Sequence, residues 1–466
     1  MSTIGFPLAL GFLGELIEFA IIAVVLVTVV YWISRAIPTD ADRSWLTRLI
    51  MWGFAAKVAG SFLRFFMAND LYGSGDSFRY HGTGIGFAQI WRSLAVPISD
   101  AGGEGTAFTE EITGLVYALY TPSMRSGFLI FATIAFMGQL LYYAAFRPWL
   151  EGTALKRYAW AIFFFPSIVF WPASIGKDSL MIFFTGLATL GISRLLRKLE
   201  VWGFLMAGLG LYLSAQIRPH IALMLALAGT MAFVFMRRMS AKSRGGARRL
   251  VLVIAAVVGL TFAWGAFATD FQVSLEGSGD TSDPAAFLEQ VSNQTAQGGS
   301  EVTGGAVHGP QDVPAATVRV LFRPLVFEAT NLATMMSAIE GTALLLFVIW
   351  RIPRGWRNRK MVRGNPLLLL SFFYTGGFIL AFSSILNLGI MARQRVQVLP
   401  FFLALLITLG WPPDAEETAM APAEVRRRQR SERHLAHVRA GEDKDESRGG
   451  VPRGEAEEAW QPERWH

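Results

Sequence analysis

Long apolar runs recur along most of the chain, separated by short polar or basic intervals. A helix needs about 20 apolar residues to cross the hydrocarbon core of a bilayer. On that measure the pattern predicts about eleven membrane-spanning helices, at 16–36, 47–67, 124–146, 158–172, 177–197, 202–218, 220–236, 250–269, 330–351, 365–386 and 393–411. The fourth is short, and the turn at 218–220 is tight. Glu15 and Glu18 open the first apolar run without a cleavage pattern behind it, which reads as a retained helix. Two long intervals break the rhythm, at 68–123 and 270–329. In the first, Phe108, Ile112, Leu115, Val116 and Leu119 recur at helical spacing and predict a short interfacial helix. The second is rich in Gly, Ser, Thr, Asp and Gln over Ser274–Val318 and reads as a flexible excursion. The predicted fold is therefore all-α: a polytopic transmembrane domain over 1–411 with re-entrant or interfacial helices in its external loops, and a tail over 412–466.

The basic residues give this pattern a direction. Arg35, Arg43 and Arg48 follow the first span, Arg147, Lys156 and Arg157 the third, and Arg194, Arg197 and Lys198 the fifth. Arg237, Arg238, Lys242, Arg244, Arg248 and Arg249 follow the seventh, and Arg351, Arg354, Arg357, Arg359, Lys360 and Arg363 the ninth. Excess Lys and Arg marks cytoplasmic loops. Every odd-numbered exit is basic, so the N-terminus is expected outside, the C-terminus in the cytoplasm, and both long loops outside. The plasma (inner) membrane of a bacterium is the expected location.

Composition supports the same class. The chain has 466 residues, 53% hydrophobic and 17% charged, with 36 Phe and 14 Trp. Soluble domains are nearer a quarter charged, so a soluble enzyme with a single anchor is excluded. Cysteine is absent, which removes disulfides, thiolate metal sites and cysteine nucleophiles. The six His residues are scattered, with no i, i+4 pair to ligate a metal on one helix face. The net charge of +7 belongs to the cytoplasmic loops, and nucleic acid is not an expected partner. The tail carries ten Lys and Arg against thirteen Asp and Glu and cannot bury a core, so it is expected to be disordered. It is a possible docking arm for envelope-assembly proteins.

Against that background, five separated segments place charge at the external face. They are Gly75-Asp76-Ser77-Phe78-Arg79-Tyr80-His81, Trp171 to Ser179 with Lys177 and Asp178, Arg218-Pro219-His220, Arg323 to Glu328, and Arg393-Gln394-Arg395. Each alone has a plain explanation, since external loops are polar, Pro and Gly make turns, and Asp complements a helix start. Tight turns do not need Arg, Lys and His, however, and charge beside a span is costly. Arg64 lies seven residues from Lys57, on the same helical face and near the external end. Lys57 is deeper and needs a partner, for which Glu340 is the candidate.

A surplus of Arg at the membrane boundary suits phosphate or pyrophosphate through forked guanidinium bonds. A boundary site suits a ligand with an apolar tail and an anionic head, as in a polyprenyl-linked sugar. Arg64, Arg79, Tyr80, Trp171, Lys177, Asp178, Arg218, His220, Arg323, Glu328, Arg393 and Arg395 are the candidate binding residues. Asp76 and His81 are the candidate bases for an acceptor hydroxyl.

On these residues the chain resembles bacterial polytopic glycosyltransferases of the GT-C type and the oligosaccharide-repeat polymerases. That resemblance implies a lipid-linked sugar donor used at the external face. Asp76 in Gly-Asp-Ser-Phe-Arg-Tyr-His matches the acidic residue of an early external loop, where it serves as base or metal partner. Arg218, Arg393 and Arg395 match the arginines that engage lipid-linked pyrophosphate. Phe170 to Asp178 and Phe322 to Ala329 resemble segments of the same broad group. In the GT-C pattern the loop follows the first span, whereas here it follows the second. A divalent metal is implied by this resemblance alone, and the residues themselves leave metal and cofactor unknown. Two non-enzymatic readings stay open: a transporter or flippase for a lipid-linked glycan, and an assembly component of an envelope polysaccharide machine. A flippase should show ionisable residues through the whole membrane depth, and here they gather at one face. There is no internal repeat and no protease motif.

Overall fold

A computed structural model describes residues 5–37, 43–72, 75–95, 104–120, 122–236, 310–329, 332–383 and 387–410. The predicted span 250–269, the stretch 274–309, the basic cluster after the seventh span and the charged tail lie outside the described residues. Among the described residues every regular element is helical, with no strand.

Six helices are long and apolar enough to cross a membrane: Ile17–Ala36, Arg43–Leu71, Met124–Phe146, Lys177–Arg197, Pro219–Met236 and Thr334–Asn358. A bent pair, Leu388–Gln397 with Leu399–Gly410 at 68°, makes a seventh if counted as one span. This is the make-up of a multi-pass membrane protein. The helices Val201–Ala215, Val313–Phe322 and Pro366–Phe382 are apolar but shorter.

The order begins α1 (Gly5–Ala36), α2 (Arg43–Phe66), α3 (Asp76–Arg92), α4 (Glu104–Ala118) and α5 (Met124–Phe146). It continues α6 (Gly152–Phe164), α7 (Pro166–Phe170), α8 (Lys177–Arg197), α9 (Val201–Ala215) and α10 (Pro219–Met236). After the undescribed stretch come α11 (Val313–Phe322), α12 (Leu332–Asn358), α13 (Lys360–Gly364), α14 (Pro366–Phe382), α15 (Leu388–Gln394) and α16 (Leu399–Gly410).

The core is built around α8, which packs on α5 at one side and α9 at the other. Small residues make these seams close, as in membrane helix pairs where apolar side chains gain nothing by leaving lipid. A methyl group on Gly138 would lie 2.5 Å from Ile182 O, and one on Gly210 would lie 2.4 Å from Ala188 N. Outward faces are apolar instead. Ile17, Ile21, Val24 and Trp32 on α1 and Trp202, Leu205, Leu209 and Tyr212 on α9 are exposed, as lipid-facing residues would be. Gly138→Ala is expected to lower the melting temperature of the detergent-solubilised protein, since overpacking costs about 1–3 kcal/mol. Gly208→Ala, where an added methyl meets nothing within 4 Å, should leave it unchanged.

The predicted fourth span is a broken helix. Pro166 ends α6, holds Phe165 extended and opens α7. Helix breaks inside apolar surroundings survive where other groups satisfy the freed backbone. Pro166 cannot donate to Ile162 O, and Gln139 Nε2 does so instead at 2.6 Å. Pro172 cannot donate to Ile168 O, and Lys57 Nζ does so at 2.9 Å. Ser167 N donates to Glu340 Oε2 at 2.5 Å, and Ser167 Oγ to Glu340 Oε1 at 2.6 Å. The expected Lys57–Glu340 ion pair is therefore corrected. The two side chains serve neighbouring backbone groups of α7, and the charge on Glu340 is met by Arg395 at 3.0 Å.

The first long loop is more ordered than its composition predicts. The expected interfacial helix is α4. Asp76 to His81, predicted only as part of that external loop, is the start of α3. The two helices form a hairpin. Arg92 closes its far end by donating to Tyr117 O at 3.1 Å and Tyr120 O at 2.6 Å. Val313–Val318, expected to belong to the flexible excursion, forms the first part of α11.

Candidate functional site

Two helix starts with related sequences meet at the site, Gly75-Asp76-Ser77 on α3 and Gly176-Lys177-Asp178-Ser179 on α8. Ser77 Oγ donates to Ile175 O at 2.8 Å and stitches one start to the other. Gly176 has φ +152°, a backbone conformation that side-chain-bearing residues rarely adopt, and the Tyr80 ring closes over it. Arg218, the residue before α10, and Arg393, near the end of α15, complete the cluster.

Asp178 is the hub. It is 4% exposed. Its Oδ1 accepts from Arg218 Nη2 at 2.8 Å and its Oδ2 accepts from Arg393 Nε. Arg393 Nη1 also donates to Asp76 Oδ2 at 3.1 Å, so a charge chain runs Arg218–Asp178–Arg393–Asp76. Its outer member, Asp76, is 60% exposed. Lys177 Nζ donates to Thr106 Oγ1 at 2.8 Å. Arg79 Nε pairs with Glu110 at 2.8 Å, where the arginine is half-exposed and the carboxylate buried.

These groups surround a cavity of about 340 Å³. Asp76, Arg79 and Tyr80 line it from α3, Thr106 from α4, Lys177 from α8, Ile217 and Arg218 from the turn before α10, and Ile390, Arg393 and Gln394 from α15. The Arg218 side chain is 9% exposed, and its Nη1 has no hydrogen-bond partner among the described residues. A buried unsatisfied donor of this kind costs free energy unless an acceptor arrives. Tyr80 stays a neutral phenol, because burial first, and then Asp76, pushes its pKa up to about 12.

Seven of the fourteen predicted site residues meet here: Asp76, Arg79, Tyr80, Lys177, Asp178, Arg218 and Arg393. The others have separate surroundings. His81 points its Nδ1 at the Tyr117 hydroxyl, 2.8 Å away, and burial lowers its pKa, so the ring is neutral at pH 7. Arg64 lies over the Phe170 and Trp171 rings. Trp171 Nε1 donates to Ser337 Oγ at 3.3 Å. The His220 ring packs on Phe382. Arg323 and Glu328 pair with each other. Burial pushes the Glu328 pKa up, but the bonds from Arg323 and Leu325 N hold it below the usual carboxylate value. Arg395 is fully buried, donating to Leu321 O at 3.1 Å and to Glu340.

Sequence reasoning missed Glu110 and Thr106. Both lie on α4, whose apolar stripe was the visible signal. Glu110 falls on the helix face opposite that stripe, where it is buried, so the stripe gave no sign of it.

Among the described residues no group of three His, Asp or Glu side chains is placed to hold a metal ion. Asp76 and Asp178 are already bonded to guanidinium groups, so this donor set does not fit the divalent cation that the family resemblance implies. Comparison with family models, with characterised proteins and with solved structures returns no match.

Proposed function

We propose that this chain transfers or polymerises sugars from a polyprenyl-phosphate- or pyrophosphate-linked donor at the external face of a bacterial plasma membrane. The observation that carries the reading is the buried Arg218, its Nη1 unpaired, at the wall of a basic cavity where apolar helices end. Its volume falls in the range of small-molecule sites, about 300–1,000 Å³. A site beside apolar helices receives a lipid-borne head group while the tail stays in the bilayer. The finer topology belongs to the same proposal: eleven spans, the N-terminus outside, and a disordered tail in the cytoplasm. The alternation of basic clusters supports it.

The chemistry follows from the charges. Arg218 and Lys177 take the phosphate of the donor. Asp76, the exposed end of the charge chain, accepts the proton of an acceptor hydroxyl. That oxygen bonds to the anomeric carbon as the carbon–oxygen bond to phosphate breaks, and the electron pair leaves on the phosphate, stabilised by the cations. No step uses a metal. Passage across the membrane is less well supported, because the deep charges Lys57, Glu340 and Arg395 are all bonded to fixed partners.

The test is native mass spectrometry of the gently purified full chain, paired with a transfer assay on the lipid that it carries. A polyprenyl-phosphate species is expected on the wild type. Asp76→Asn should retain it and transfer about 10²–10⁴-fold more slowly, the usual worth of a general base. Ordinary phospholipids alone on the wild type would sink the reading.

A further inference from the structure

The cavity can be read for charge as well as for shape. Arg79, Lys177, Arg218 and Arg393 bring four positive charges to its wall. Three carboxylates are bonded to them: Asp76 and Asp178 to Arg393, Asp178 also to Arg218, and Glu110 to Arg79. Among the described residues the remainder is a single positive charge. Tyr80, the other titratable group in the wall, stays neutral. Nor do the helix starts add a free positive end, since Asp76 and Asp178 already occupy the first turns of α3 and α8. The donors left over agree with this count. Arg393 is committed to two carboxylates and Arg79 to one, whereas Arg218 Nη1 is unpaired and Lys177 uses one of its three protons on Thr106.

We propose that the cavity is matched to a phosphodiester, a sugar joined to lipid through one phosphate, and that Glu110 sets this match by occupying Arg79. The inference rests on the function proposed above and narrows its donor. A diphosphate-linked sugar brings a second negative charge that the wall leaves uncompensated. Glu110 is a specificity residue in this account. It lies on α4, behind Arg79, and does not itself line the cavity.

The experiment measures dissociation constants of the full chain in detergent at fixed ionic strength. The probes are farnesyl phosphoglucose, farnesyl diphosphoglucose and neutral farnesyl glucoside. Wild type is expected to bind the phosphodiester most tightly. Glu110→Gln, which frees Arg79, should shift the ratio toward the diphosphate by about tenfold, a modest effect because Arg79 is partly screened by solvent. Ile390→Lys adds a cation at the rim without touching the buried bond and should shift the ratio the same way, which guards against a folding defect in the Glu110 variant. The double variant Arg79→Gln/Glu110→Gln restores the original charge and should restore the original preference. Tighter binding of the diphosphate by wild type, or a ratio unmoved by both added-charge variants, overturns the charge match and leaves the lipid-linked site standing. Binding of neither anionic probe above the glucoside overturns both.

Discussion

Arg218→Ala is expected to strip the protein of lipid-borne phosphate while leaving it folded. Hydrogen bonds to a charged group contribute about 1.5–3 kcal/mol each. Losing the forked donor should therefore weaken retention of a phosphorylated lipid by about 100-fold. Folding should survive, because Asp178 keeps its second partner, Arg393, and no buried carboxylate is left bare. Arg218→Lys separates charge from shape, since an ammonium keeps the charge but loses the planar fork, and an intermediate loss is expected. Asp178→Asn is the opposite experiment. It leaves two guanidinium groups beside an uncharged amide, so it should destabilise the fold more than Arg218→Ala does, while raising the cavity's net charge. Lipid phosphorus per mole of protein and the melting temperature read the two effects separately. An Arg218→Ala variant that folds and keeps its phosphorylated lipid would remove Arg218 from the site.

The architecture was legible where one physical rule governs. Apolar runs of about 20 residues appear as helices at Ile17–Ala36, Met124–Phe146, Lys177–Arg197 and Pro219–Met236 because lipid requires both length and hydrophobicity. Charge at one end of those helices was also legible, which is how Asp76, Lys177, Arg218 and Arg393 came to be grouped across more than 300 residues of sequence. Pairing within the group was not. Lys57 and Glu340 are opposite charges deep in spans, and the plain expectation joins them. The structure uses each to repair a backbone broken by proline, because a carbonyl orphaned by Pro172 and the amide of Ser167 have no water to turn to. Arg395 shows the same limit. Only Gln394 separates it from Arg393, yet one faces the cavity and the other is fully buried, since side chains two apart on a helix point to opposite sides. Which of the two turns inward is not written in the residue types. α3 was hidden for another reason, since its Gly-rich start reads as loop until its contacts with α4 are known.

The buried node at Arg395 gives the other large expectation, this time in stability. Arg395 Nη2 bonds Glu340 at 3.0 Å, Nη1 bonds Leu321 O, and Glu340 in turn holds both the amide and the hydroxyl of Ser167. One ion pair thus ties α7, α11, α12 and the turn before α16. The neighbouring Gly341 leaves no room for adjustment, since a methyl there would lie 2.0 Å from Phe322 O. Removing one partner of a buried pair strands the other charge and costs about 3–5 kcal/mol. Arg395→Met and Glu340→Ala are each expected to lower the melting temperature sharply and to reduce the yield of folded protein. The double variant Arg395→Met/Glu340→Ala strands no charge and should recover part of the loss, though not all, because the Ser167 amide then lacks its acceptor. Coupling of the two losses is the decisive quantity, since contacting residues are non-additive and independent ones are not. If the double variant loses the sum of the two single effects, the ion pair is not what holds the broken helix, and the stability of α7 must come from the Lys57 and Gln139 bonds to its carbonyls and to those of α6.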